Sequence, residues 1–105
     1  MPVAPDYMKS AAKKALNDRE DLPPSRKYGT LVGLARANQI ANGDNLSLST
    51  LLRMRSYLSR ARQNYDKAKS EGLNNKTSKA IGAFNLWGGS RALSWVNGQI
   101  EKLQR

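Results

Sequence analysis

The chain has 105 residues, of which 18 are Lys or Arg and 8 are Asp or Glu, for a net charge of +10. It contains no cysteine and no histidine, which excludes a disulfide frame, a Cys/His zinc site and nucleophilic catalysis built on Cys or on a Ser–His pair. One domain with a modest core is expected at this length, and the surplus of cations implies a polyanion or an acidic protein surface as partner.

The eight acids form no paired or metal-loop pattern, so the sequence offers no catalytic residue, metal site or cofactor site, and a non-enzymatic protein is expected. No apolar run approaches the ~20 residues that span a membrane, and no signal-peptide pattern opens the chain. A membrane partner and secretion are therefore not expected. The sequons Asn45-Leu46-Ser47 and Asn75-Lys76-Thr77 then read as incidental.

Residues 1–5 form an extended lead-in. Asp6 can cap a first helix, because its carboxylate accepts first-turn N–H groups. Met8, Ala11, Ala12, Ala15 and Leu16 fall at helical spacing but make a narrow, alanine-dominated stripe. That stripe predicts weak docking on the body, with Met8 and Leu16 available to a partner protein. Asn17 to Gly29 reads as a linker, since Pro23-Pro24 forces extended backbone. The expected organisation is an N-terminal arm over 1–29 and a compact helical domain over 30–105.

Thr30 is the expected cap of a second helix with Leu31, Leu34, Ala37, Ile40 and Ala41 inward, ended by Asn42-Gly43. Ser47 caps a third helix whose stripe is Leu51, Met54, Leu58, Ala61 and Tyr65, in steps of 3, 4, 3 and 4. That helix carries Arg53, Arg55, Arg60 and Arg62 without one acid between Asn45 and Tyr65. Arg55, Arg62 and Lys69 lie beside the stripe, where they can snorkel along its edge. Arg53, Arg60 and Lys67 lie nearly opposite it and must face solvent or a partner. No acid stands four residues from Arg53 or Arg55, so the usual pairing along a helix is missing. These six cations are the expected nucleic-acid or anion-binding residues.

Glu71 to Ser78 reads as a loop. A short fourth helix to Trp87 places Ala80, Ile81, Phe84 and Trp87 on one side, and Ser90 caps a fifth helix with Leu93, Val96, Ile100 and Leu103 inward. The fold class is all-α, a small bundle of about five helices with an extended N-terminal arm. Leu86-Trp87-Gly88-Gly89 reads as a core corner, where glycine lets backbone approach a large ring. Trp95 lies off the line of the last stripe and is the second tryptophan available for protein contact. The second and third helices have the outline of a helix-turn-helix, with Ser49, Thr50 and Arg53 toward base edges and Arg60 and Arg62 toward phosphates; a plain antiparallel hairpin has the same outline.

The run Gly29 to Ala37, then Ile40-Ala41-Asn42-Gly43, Leu46-Ser47, Thr50, Arg53-Met54, Ser56-Tyr57, Leu86-Trp87-Gly88-Gly89 and Trp95, resembles a small module of tailed phages, cyanobacterial phages included. There it occurs alone or attached to head-related proteins. The likeness covers about residues 22 to 97. It departs at Leu58 and Ala61, where members often have an aromatic residue and a histidine, and in a trimmed loop over Gly72–Ser78. The resemblance implies a phage virion accessory or structural protein, associated with head or connector. Its partners would be other virion proteins and DNA or an acidic capsid surface, in a multi-copy assembly. Its place would be the virion, and the host cytoplasm during infection. The other expectation is a free phage DNA-binding protein.

Overall fold

A computed structural model describes residues 2–105. Five helices order the chain: α1 (Asp6–Glu20), α2 (Leu31–Asn42), α3 (Leu48–Ser70), α4 (Lys79–Leu86) and α5 (Ala92–Leu103), with one 3-10 turn at Pro24–Arg26. Hydroxyl caps start three of them. Thr30, Ser47 and Ser78 accept hydrogen bonds from the N–H groups of Gly33, Thr50 and Ile81, which satisfies donors that the first helical turn leaves free. Gly43 takes the left-handed φ of 74° that ends α2. Two expected caps move. Pro5 occupies the N-cap of α1, so Asp6 sits inside the first turn, and Arg91 rather than Ser90 occupies the N-cap of α5 without a side-chain bond.

The expected all-α bundle forms, and α4 is its centre: it packs on α1, α2 and α3, while α5 lies on α3 and α1 on α2. An eight-residue helix has little stability alone. Here Ile81, Phe84 and Leu86 are at most 1% exposed, so α4 is held by what surrounds it. Tyr65 of α3 stacks on Phe84 with centroids 4.2 Å apart. The predicted α3 stripe is the buried one: Leu51, Met54, Leu58 and Tyr65 are buried and Ala61 half-buried.

Four expectations are corrected. First, α1 does not dock weakly. Met8, Ala12 and Ala15 are fully buried, and one core runs from Ala4 to Ile100. The alanines bury little area each, but they let α1 come close. A Cβ placed on Gly88 would stand 2.7 Å from Met8 Cε, and one on Gly89 3.1 Å from Ala11 Cβ. Residues 2–29 therefore belong to the body. Second, Tyr28, assigned to a linker, is 1% exposed and donates its hydroxyl to Ala15 O. Its ring lies where a Cβ on Gly82 would be, at 2.4 Å. Burial pushes the Tyr28 pKa up to about 12.

Third, the inward side of α2 is Gly33, Arg36, Ala37 and Ile40. Leu31 precedes Gly33 by two residues, about 200° round the helix, and is 86% exposed. The matching correction in α5 is Leu103, which is exposed beyond Val96 and Ile100. Fourth, α2 and α3 barely touch each other, so they form neither a helix-turn-helix nor a packed hairpin. The stripe of α2 is occupied by α1 and α4. The connection between α2 and α3 pairs with the start of the chain instead, through Leu46 N–H to Pro2 O at 2.8 Å and a bridge from Val3 to Asn45.

Candidate anion-binding surface

The outer face of α3 is the longest charged feature of the molecule. Arg53, Arg60 and Lys67 are exposed and recur every seven residues, so they line one side of the rod over about 21 Å. Arg55 is exposed too, but it stands two residues on from Arg53, about 200° round the helix. Among the described residues no carboxylate lies within ion-pair distance of Arg53, Arg55, Arg60, Lys67 or Lys69; the ion pairs are Lys14–Asp18, Arg62–Asp66, Lys76–Asp21 and Arg105–Glu101. Ser56, Ser59, Gln63 and Asn64 fill the space between the cations. None of the exposed large apolar residues lies on this helix: they are Val3, Leu31, Val32 and Leu103.

Arg62 is the exception in the expected set. Its Nε donates to Asp66 at 3.2 Å, its Nη1 to Ser90 O at 2.8 Å, and its guanidinium lies 6.0 Å from the Phe84 ring centroid. It fastens α3 to the turn before α5 and is not free to grip a ligand.

At the N-terminal end of the face, α2, α3 and the Trp87 corner meet. Tyr57 stacks on Trp87 with centroids 4.5 Å apart and planes 11° apart. The Arg36 guanidinium stands 5.5 Å from the Trp87 centroid. Arg36 is 7% exposed; its Nη1 donates to Gln39 at 2.6 Å, while its Nε is buried without a partner. Burial, and then the positive charge of Arg53, hold its pKa below the usual arginine value. A guanidinium placed there with a second cation and no carboxylate carries an uncompensated desolvation cost. Beside it opens a cavity of about 290 Å³ walled by Gly29, Thr30, Tyr57, Lys79, Ala83 and Trp87, among others, with no acid in its lining. Trp87 Nε1 and the Tyr57 hydroxyl make no hydrogen bond to the described residues, and burial raises the pKa of Tyr57.

A larger groove of about 570 Å³ runs between α1 and the C-terminal part of α3, over α4. Lys14, Lys69, Lys76 and Arg91 line it. Its charges are mostly answered from within. Lys14 Nζ meets Asp18 at 3.1 Å, Lys76 meets Asp21 at 3.1 Å, and the Arg91 guanidinium lies 3.9 Å from the Tyr7 ring centroid. A chain of amides crosses the groove: Asn85 Nδ2 donates to Asn75 at 2.7 Å, and Asn75 Nδ2 donates to Asp18 at 3.0 Å. Partial burial pushes the Asp18 carboxyl up, but the Asn75 bond and Lys14 outweigh it and leave its pKa below the usual value.

The structure thus lines up Arg53, Arg60 and Lys67 on one exposed face, leaves Arg55 exposed on the other side of α3, places Lys69 in the groove and takes Arg62 into an ion pair. Of the residues expected to contact protein, Met8 is fully buried and cannot do so, because it fills the space under Gly88. Leu16 and Trp95 are half-buried against the core. Trp87, Gly88 and Gly89 form the expected core corner, with Trp87 7% exposed and both glycines at positive φ. Sequence reasoning missed Arg36 and Tyr57. Arg36 occupies a core-facing register of α2, as its three-residue offset from Gly33 and four-residue offset from Ile40 could have indicated. No family profile, curated protein or solved structure matches the chain.

Proposed function

We propose that the protein is a non-enzymatic phage virion accessory protein, associated with head or connector, that lays the outer face of α3 along the phosphate backbone of DNA. The observation that carries the DNA contact is the row of three exposed cations on that face, Arg53, Arg60 and Lys67, with no carboxylate partner among the described residues. An anion supplies the charge that the fold withholds. The choice of a phosphate backbone over an acidic protein surface rests on what lies between the cations. Between the cations the face is hydroxyl and amide with no exposed large apolar residue, and its aromatic, Tyr57, is half-buried at one end, whereas the centre of a protein interface is apolar and aromatic. Arginines and polar side chains without apolar anchors suit contacts to phosphate, which position a nucleic acid without reading its sequence.

The virion assignment comes from the resemblance of residues 22 to 97 to the tailed-phage module. Gly29, Gly33, Arg36, Arg53, Tyr57 and Trp87, scattered along that pattern, converge at the N-terminal end of the face. For contact with other virion proteins the exposed pair Leu31 and Val32, 86% and 52% accessible, replaces Met8.

Binding to DNA measured by fluorescence anisotropy between 50 and 200 mM salt tests the DNA contact. Three to four phosphate contacts give a log–log slope of roughly −3. A flat salt response, or no binding at the lowest salt, rejects it. Mass spectrometry of nuclease-treated particles tests the place: recovery in many copies per particle supports the virion reading, and absence removes it.

A further inference from the structure

We propose that the nucleic acid held by α3 is single-stranded, and that one unstacked base enters the cavity beside Tyr57 and Trp87. This rests on the reading of α3 as a phosphate-binding face and adds what kind of strand lies on it. Tyr57 stands four residues after Arg53 and three before Arg60, so the cavity adjoins the cation row on the surface of the same helix. A strand whose phosphates meet Arg53 and Arg60 passes over its mouth.

The chemistry of the cavity fits a nucleobase. Tyr57 and Trp87 both line it; the two rings cover one face of each other, so a base meets the remaining surface of the aromatic pair, a contact that does not depend on its sequence. Among the described residues the buried polar atom without a partner is Arg36 Nε; the Trp87 indole N–H and the Tyr57 hydroxyl make no hydrogen bond to those residues and reach solvent. A base offers ring nitrogens and carbonyl oxygens to both. Lys79, exposed at the rim without a carboxylate partner, suits the next phosphate. The buried Arg36 on Trp87 keeps the platform electropositive. In a duplex the π-faces are stacked away and cannot reach the cavity. An acidic peptide would satisfy the cations but leave the aromatic wall and the indole N–H unmet.

The test compares the full chain with a labelled single-stranded oligonucleotide and with the duplex of the same sequence, by anisotropy, and follows Trp87 emission in a Trp95→Phe background. The single strand should bind at least about tenfold tighter than the duplex and quench Trp87. Tyr57→Leu should cut single-strand affinity by roughly tenfold, leaving the salt slope and the duplex affinity where they were. If Tyr57→Leu melts, the Trp87 quench decides alone. Equal binding of both forms with unchanged Trp87 emission overturns the inference and leaves the phosphate-binding reading intact. Binding to neither form, or only to polyglutamate, overturns both.

Discussion

The outer face of α3 carries a row of three cations, and the groove between α1 and α3 carries four. Arg53, Arg60 and Lys67 stand on the first, and Lys14, Lys69, Lys76 and Arg91 line the second. They differ in what answers the charge. In the groove, Asp18, Asp21 and the Tyr7 ring take up three of the four. On the outer face no carboxylate among the described residues does, and Arg60 Nε donates only to the carbonyl of Ser56, at 3.2 Å. A count of cations therefore does not locate an anion site. On the proposed reading the site lies where folding has left charge without a carboxylate, because there a phosphate meets cations that nothing has neutralised.

The largest effect should come from emptying the unanswered face. Arg53→Gln, Arg60→Gln and Lys67→Gln together remove three phosphate contacts, so the salt slope should become shallower by about 2.7 and affinity at low salt should fall roughly a hundredfold. All three residues are exposed and glutamine is a good helix former, so the melting curve should stay within about 0.5 kcal/mol of wild type. Lys14→Gln with Lys76→Gln, the matching change in the groove, should leave binding intact. If the groove pair takes the loss and the α3 triple does not, the distinction between answered and unanswered charge is broken.

A smaller effect should follow from making the outer face resemble the groove. Ser56→Glu and Gln63→Glu place a carboxylate four residues before Arg60 and Lys67, the favourable order for pairing along a helix. Each pair should stabilise α3 by about 0.2–0.5 kcal/mol while the two carboxylates weaken nucleic-acid binding by roughly tenfold, read by thermal melting and anisotropy on the same sample. Unchanged affinity would mean that these cations do not hold the ligand.

Much of this contrast was legible in the residue pattern. The α3 stripe and its charge row follow from 3.6-residue periodicity over 23 residues, long enough to leave no ambiguity of face. The hydroxyl caps at Thr30 and Ser47 are local chemistry and needed no tertiary knowledge. What escaped depends on contacts distant in sequence. Tyr28 looks like a linker residue until Gly82, 54 positions later, makes room for its ring. The alanines of α1 look too small to dock until Gly88 and Gly89 allow the helix to approach. Arg36 looks like one more surface cation until Trp87 lies under it. Small residues report close packing only once the opposing surface is known, so α1 was undervalued and the face of α2 was rotated.

The smallest effect should appear in the groove, where the answering carboxylate can be removed. Lys14 is 72% exposed, so its pair with Asp18 contributes little. The bond from the buried Asn75 contributes more, because Asn75 is 5% exposed and also holds Asn85. Asp18→Asn keeps an acceptor for Asn75 but loses its charge, which should cost about 0.5–1 kcal/mol near neutral pH. The pH dependence has a definite sign. The folded pKa of Asp18 lies below its ordinary 3.8, so its contribution is present above that value and is lost as pH falls through the folded one. Denaturant melts of wild type and Asp18→Asn should therefore differ at pH 7 and converge in acid, as pH falls through the lowered pKa of Asp18, while DNA affinity at neutral pH stays with α3. A penalty that persisted in acid would mean that Asp18 acts through its shape, and that charge in the groove is answered by Asp21 and the aromatic contact alone.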